Sequence, residues 1–169
     1  MSDRNPLSFD PVAEARRQWV EHGWDDAAGG MAVVTSVVRV EQILLGRIDA
    51  VLRPLQLTFA RYELLTLLSF SRTGALPLGK IGARLQVHPA SVTNAVDRLE
   101  ASGLVTRVPH PEDGRTTLAR ITPTGRRLAT KASTALNTRV FGELGLSDRD
   151  IDALFRILRK MRFASGDFK

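Results

Sequence analysis

Short side chains occupy one face of the segment Pro89–Ala101 and can recognise nucleic-acid bases. The opposite face is predicted to be buried, because Val92, Val96 and Leu99 recur at spacings of four and three. Hydroxyl groups can contact base edges or phosphates, an asparagine amide can pair with adenine, and an arginine prefers guanine or phosphate. A solvated face is the alternative, but it would more often carry Glu and Lys. The predicted DNA contacts are His88, Ala90, Ser91, Thr93, Asn94 and Arg98.

A second basic group is predicted in the loop of a hairpin that follows this helix. Arg115 lies near the hairpin tip, from where an arginine can enter the minor groove and its enhanced negative potential. Asp113 is expected to accept from Arg115 or from an arginine of the helix and so brace the loop. His110 lies in the same loop and completes the predicted DNA-contacting set. A solvated loop arginine is the alternative.

A helix, a tight turn, a second helix and a hairpin are predicted to position these groups. Leu78–Leu85 forms the first helix, Pro89 suits the first turn of the second, and Gly103 suits its end. The strands 104–108 and 117–121 alternate and carry β-formers, so they are predicted to pair. This order describes a winged helix-turn-helix, which places one helix in the major groove and a basic loop beside it.

The N-terminal part is predicted to contain two helices. After a loose tail over residues 1–10, the first begins at Pro11 and ends near Gly23, and residues 25–30 are expected to form a linker. The second ends at Pro54, and its apolar stripe favours packing against a second subunit over packing within a monomer. That stripe consists of Val33, Val37, Val40, Leu44, Ile48 and Val51.

Three more helices complete the predicted fold. Thr58 caps a helix to Ser69, residues 71–76 form a turn, and Thr122–Pro123 opens a helix to about Phe141. The last helix begins at Ser147 with the stripe Ile151, Leu154, Leu158 and Met161. The predicted fold class is mainly α with a small β-hairpin wing, a winged helix-turn-helix with N- and C-terminal dimerisation helices. Its parts are an N-terminal extension (1–30), a dimerisation helix (31–56), the DNA-binding region (57–122) and the C-terminal helices (123–169).

Charge and composition limit the function classes. The chain has a net charge of +6, and eight basic against four acidic residues lie between Leu78 and Arg127, as a polyanionic partner requires. There is no cysteine, which fits a reducing compartment and excludes thiol redox sensing. The first residues do not resemble a secretory signal, and the apolar run Met31–Val38 is too short for a membrane span. A cytoplasmic protein without membrane contact is expected.

Neither catalysis nor a cofactor is expected. His22, His88 and His110 lie on different elements, without a nucleophile and base pairing or a Gly-rich phosphate loop. The sequence also has no cluster of metal ligands, although residues distant in the sequence could still form a metal site in the folded protein. The serious rival to DNA binding is a winged-helix protein–protein interaction module, which an apolar outward helix face would favour.

Residues 33–161 resemble the MarR family of dimeric bacterial transcription regulators. The resemblance rests on LGKIGARLQVHPASVTNAVDRLEASGLVTR, on Asp-Gly-Arg at 113–115 and on Ile-Thr-x-x-Gly at 121–125. It implies a homodimer whose first and last helices form the interface. It also implies that two winged domains read the half-sites of a pseudo-palindromic operator in double-stranded DNA. His88, where many relatives have Ser, and His110-Pro111, where the wing often opens with Asp-Pro, depart from the pattern.

The resemblance also implies a small-molecule effector. Family members commonly bind aromatic acids or related organic anions between the dimerisation helices and the winged domain. The possible walls and carboxylate partners here are Trp19, Trp24, Phe59, Tyr62, Arg39, Arg47 and Arg61, and each of them is alternatively a core aromatic or a surface cation. The expected function is a repressor that leaves its operator when an aromatic acid or its thioester binds.

Overall fold

The computed structural model describes residues 7–113 and 115–169. The start of the predicted tail, residues 1–6, and Gly114 of the wing motif lie outside the described residues. The chain divides into two compact units, residues 1–50 and residues 51–169.

The first unit contains two helices, α1 (Pro11–Glu21) and most of α2 (Asp25–Leu52). Helix α1 begins at the predicted Pro11, and the Asp10 side chain caps it by accepting a hydrogen bond from the amide of Val12 at 2.9 Å. The predicted linker at 25–30 is wrong, because α2 already begins at Asp25 and runs through Gly29 and Gly30. Two glycines lower helix propensity, but Asp25 and Asp26 in the first turn complement the helix dipole.

Helix α2 leaves much of its apolar surface exposed. Of the predicted stripe, Ile48 and Val51 are buried, whereas Val33, Val37 and Val40 are 40–49% exposed. By length and composition alone the helix also meets the requirement for a membrane span, with a mean hydropathy of 1.4 over 18 residues. The prediction that this part of the chain is too short for a membrane span is therefore wrong on length, and one such helix does not by itself indicate a membrane.

The second unit is the larger and holds the predicted winged region. Near its start the unit contains a 3₁₀ turn (Arg53–Leu55), and a π-helical turn (Asn137–Phe141) continues the helix Pro123–Leu136 to the predicted end at Phe141. Its elements are α3 (Phe59–Phe70), β1 (Ala75–Pro77), α4 (Leu78–Leu85), α5 (Pro89–Ala101), β2 (Val105–Pro109), β3 (Thr117–Ile121), α6 (Pro123–Leu136) and α7 (Asp148–Ala164).

The sheet has three antiparallel strands in the order β1-β3-β2. Strands β2 and β3 form the predicted hairpin, with Val105 opposite Ile121. The turn predicted over residues 71–76 is wrong at its end, because β1 begins at Ala75 and pairs with Arg120 of β3. A strand of three residues that ends in proline is too short to show an alternating pattern.

The core of this unit holds α5 by its predicted buried face. Val92, Val96 and Leu99 are at most 2% exposed and lie among the fully buried residues of the unit. Leu64, Leu65, Leu68, Ile81, Val105 and Leu136 are buried to the same degree. Because the apolar face of α5 is buried, its polar face must point outward.

A buried glycine explains the Ile-Thr-x-x-Gly motif. Thr122 caps α6 by accepting from the amide of Gly125 at 3.0 Å, and its hydroxyl donates to the Gly103 carbonyl at 2.9 Å. A Cβ on Gly125 would overlap the carbonyl oxygen of Leu104 and lie 3.0 Å from Cγ1 of Ile121. The first turn of α6 therefore packs directly on the chain that enters β2.

Candidate nucleic-acid interface

All six predicted contacts of α5 lie at its surface. The helix begins at Pro89, and the Nδ1 atom of His88 accepts from the amide of Ala90 at 3.2 Å. The histidine that departs from the family pattern therefore does cap the helix. The structure places every member of the set at an exposed position: His88, Ala90, Ser91, Thr93, Asn94 and Arg98.

The outward face of α5 borders two different clefts. Ser91, Asn94 and Arg98 line a cleft of about 510 Å³ beside the first turn of α3. Thr93 lines another, of about 380 Å³, beside α4 and the turn that contains Gln86 and Val87. Four of the predicted contacts thus lie on two different edges of the helix, which the sequence did not separate.

The wing loop is held by hydrogen bonds to its own backbone. The Asp113 carboxylate accepts from the amide of Arg115 at 3.1 Å and from the hydroxyl of Thr116 at 2.7 Å. These bonds, the Thr116 hydroxyl foremost, hold the pKa of Asp113 below its ordinary value. The Nδ1 atom of His110 accepts a hydrogen bond from the amide of Glu112 at 3.2 Å. Asp113 thus does brace the loop, through the backbone of Arg115 rather than through its guanidinium, and the Arg115 side chain is exposed.

An ion-pair cluster that the sequence did not predict joins the wing to α5. The Arg107 guanidinium on β2 donates to Asp97 at 2.5 Å and also to Glu100, both on α5. The backbone amide of Arg107 donates to the same Glu100 carboxylate at 2.8 Å. Hydrogen bonds from Arg107 hold the pKa of Glu100 below its ordinary value, and the bond from the Arg107 backbone amide contributes most. In turn, the carboxylates of Asp97, foremost, and Glu100 raise the pKa of Arg107.

The cluster reduces the positive charge that the region around α5 can offer to a polyanion. Arg107 neutralises acidic groups of its own unit, so it is not part of a surface offered to a polyanion. The signal was present in the sequence, since Asp97 and Glu100 are three apart and share one side of a helix. Only the folded hairpin brings Arg107 to them. Arg98 and Arg115 remain as exposed cations of the candidate interface.

Of the predicted effector residues in the first unit, the tryptophans lie together. Trp19 and Trp24 make an edge-to-face contact with ring centroids 5.2 Å apart and line a cleft of about 530 Å³. Asp25 and Asp26 line the same cleft, and carboxylates repel an anion. Arg39 and Arg47 lie on α2, where Arg39 donates to Gln42 at 3.5 Å.

The predicted effector residues of the second unit are grouped on α3. Phe59 and Tyr62 stack with centroids 6.1 Å apart, and the buried Tyr62 shares a hydrogen bond of 3.1 Å with Ser133. Arg61 instead lines the cleft that it shares with Ser91, Asn94 and Arg98. In the described residues no group of three or more His, Cys, Asp and Glu side chains is arranged to hold a metal ion.

The sequence profile of the MarR family matches residues 57–117. Curated relatives from Bacillus subtilis and Mycobacterium bovis, both named as uncharacterized HTH-type transcriptional regulators, are 33% identical over 86 and 92 residues. These matches cover 51% and 53% of this chain, which spans only 54% and 64% of the length of those relatives.

Solved structures match over most of the chain. Sco5413, a MarR family transcriptional regulator from Streptomyces coelicolor, is 50% identical with a TM-score of 0.75, over 83% of this chain and 98% of that one. Sco3205 from the same organism, solved in complex with DNA, is 25% identical with a TM-score of 0.68 over 76% and 83%. CouR from Rhodococcus jostii RHA1, solved with p-coumaroyl-CoA, is 26% identical with a TM-score of 0.68 over 78% and 92%.

Proposed function

Because this chain belongs to the MarR family of transcriptional regulators, we propose that it represses transcription as a homodimer bound to a pseudo-palindromic operator. A small organic anion releases it. The observation that carries the proposal is the exposed polar face of α5, held by a buried apolar face and followed by a wing with an exposed arginine. It acts where the DNA lies, in the cytoplasm.

The chemistry of α5 and the wing supports reading of duplex DNA. Ser91 and Asn94 can address base edges in the major groove, and Arg115 can reach the adjacent minor groove. The relative Sco3205 was solved in complex with DNA. A winged-helix module for protein contacts would need an apolar outward face, whereas the described outward face of α5 carries hydroxyl, amide and guanidinium groups.

This function is tested by letting the wild-type protein select the duplexes that it binds from a random DNA library. We expect a preferred inverted repeat, with an affinity that falls steeply as salt rises because bound phosphates release counterions. Titrations at several salt concentrations, with an unrelated duplex of equal length as control, measure both the sequence preference and the salt dependence of the affinity. Equal and weak binding to every duplex, whatever the salt, would leave the protein-interaction module as the better reading.

The proposed homodimer is supported by large apolar side chains that are exposed on α2 and, separately, on α7. Several exposed apolar residues on one helix are typical of a protein interface or a membrane interface. We propose a second copy, because an inverted-repeat operator requires two reading heads related by a twofold axis. The exposed residues are Val33, Val34, Val37, Val38, Val40, Ile43 and Leu45 on α2, and Leu154, Phe155, Ile157, Met161 and Phe163 on α7.

Val37→Glu tests the dimer. A carboxylate in the apolar contact is expected to shift the mass measured by sedimentation from dimer to monomer at micromolar concentration. Thr35→Glu is the matched control, since Thr35 lies on the same helix at an exposed position about 160° away around its axis. A wild-type protein that is monomeric, or that sediments with lipid vesicles, would contradict the proposal.

The effector is proposed to be an aromatic acid or its thioester. Support comes from CouR, which was solved with p-coumaroyl-CoA, and from Arg39 and Arg47 among the predicted pocket residues. A true effector stabilises the folded protein, so p-coumaroyl-CoA and simple aromatic acids are screened for a rise in melting temperature. The same compounds must release the selected duplex. A compound that raises the melting temperature and leaves DNA binding unchanged is not the effector.

A further inference from the structure

A polar cleft separates the first turn of α3 from the outer edge of α5. Its volume is about 510 Å³. The α3 side contributes Thr58, Ala60 and Arg61, and the α5 side contributes Ser91, Asn94, Ala95 and Arg98. All of these belong to the second unit, and three of the α5 residues are predicted DNA contacts.

The chemistry of the lining suits an anion. Its only charged members are Arg61 and Arg98, and its other polar groups are hydroxyl groups and an amide that can donate hydrogen bonds. The side chains of Ala60 and Ala95 are short, so they leave room in the cleft for an anion that contacts both arginines. The first turn of α3 adds the positive end of a helix dipole, which favours the same charge.

Arg61 is held at the edge of this cleft. Its Nε donates to the hydroxyl oxygen of Thr58 at 3.2 Å, and the same oxygen accepts from the Arg61 amide at 3.4 Å. This bond uses one N–H of the guanidinium, whose fork of further donors matches a phosphate. The side chain is half-buried, so it loses less conformational freedom on binding than a fully exposed arginine.

We infer that this cleft binds a phosphate of the DNA backbone, with Arg61 on one side and Arg98 on the other. The inference rests on the proposed DNA binding. A helix in the major groove is flanked by backbone phosphates, and Ser91 and Asn94 lie on the edge of α5 that faces the cleft. Arg61 is thus a DNA-backbone contact and not the effector partner that the sequence suggested, and it positions α5 without reading sequence.

Arg61→Gln tests this assignment on the duplex selected by the wild-type protein and on an unrelated duplex. We expect affinity to fall roughly tenfold for both, as when one charge-assisted hydrogen bond to phosphate is lost. The slope of log affinity against log salt should decrease by about one. Arg61→Lys keeps the charge and should retain the slope. Arg72→Gln, two residues beyond the C-terminal end of α3, makes the same change of charge at an exposed position and should leave affinity within about twofold.

Three outcomes overturn the inference while the proposed function stands. They are an Arg61→Gln variant that binds DNA like Arg72→Gln, one that loses affinity for the selected duplex alone, and one whose effector response alone is weakened. A wild-type protein that selects no duplex would instead overturn the proposed function itself. Melting temperatures of the variants confirm that each is folded before its affinity is compared.

Discussion

Arg107 on strand β2 donates to Asp97 on helix α5 at 2.5 Å, which ties the wing to the helix that carries the predicted base contacts. Glu100, one turn further along α5, accepts from the same guanidinium and from the Arg107 amide. The Arg107 side chain is 28% exposed, less than either carboxylate. Such a cluster fixes the angle between two elements that are proposed to contact the major and the minor groove together.

The double variant Asp97→Asn with Glu100→Gln separates geometry from charge. Removing two negative charges beside DNA should strengthen binding if electrostatics alone matter. We expect affinity to fall instead, by roughly three- to tenfold, because the wing and α5 lose their fixed angle. Titration of the selected duplex measures the change. Tighter binding by the double variant would show that the cluster does not position the wing.

Stability should depend on pH through Glu100. Its pKa is lowered in the folded protein by Arg107, so the ionised form is favoured in that state. The resulting stabilisation is complete above the ordinary carboxyl pKa and is lost as the pH falls through the lowered folded value. Urea unfolding between about pH 6 and pH 3 should show a smaller loss of stability for Glu100→Gln than for the wild type. Parallel curves for the two proteins would contradict this role.

Gly125→Ala should destabilise the second unit. The added methyl group would overlap the Leu104 carbonyl oxygen, which is backbone and cannot rotate away. We expect a loss of about 1–3 kcal/mol in the free energy of unfolding. Gly79→Ala in α4, where the new Cβ meets nothing within 4 Å, is the matched control and should change stability by less than about 1 kcal/mol. Similar results for both variants would refute the close approach at Gly125.

Arg115→Ala and Asn94→Ala should affect DNA binding in different ways. Loss of the wing arginine should weaken binding strongly and lower the salt slope by about one, because a cation at the DNA is removed. Loss of the amide should relax preference at particular base pairs, by about 1–3 kcal/mol, with the slope unchanged. Selection from a random library with each variant measures the preference. A uniform loss across sequences for Asn94→Ala would mark Asn94 as a phosphate contact.

Local signals were strong enough to predict most helices. Leu78–Leu85 is a helix over the predicted residues, α1 begins at the predicted Pro11, and α3, α6 and α7 begin next to the predicted Thr58, Thr122 and Ser147. A cap is a hydrogen bond between residues two or three apart, so it is visible in the sequence. The start of α2 was misplaced because Gly29–Gly30 indicates a linker, while the length of the helix and its acidic first turn outweigh two glycines.

The amphipathic pattern of the sequence is enough to predict that α5 has a buried face and a polar face, since a period of 3.6 residues separates Val92, Val96 and Leu99 from Ser91 and Asn94. The neighbours of that polar face depend on the folded chain. Folding brought Arg107 to Asp97 and Glu100, joined β1 to β3, and set Arg61 across a cleft from Arg98. Those contacts join elements that are distant along the chain, and periodicity and capping carry no information about distances between elements.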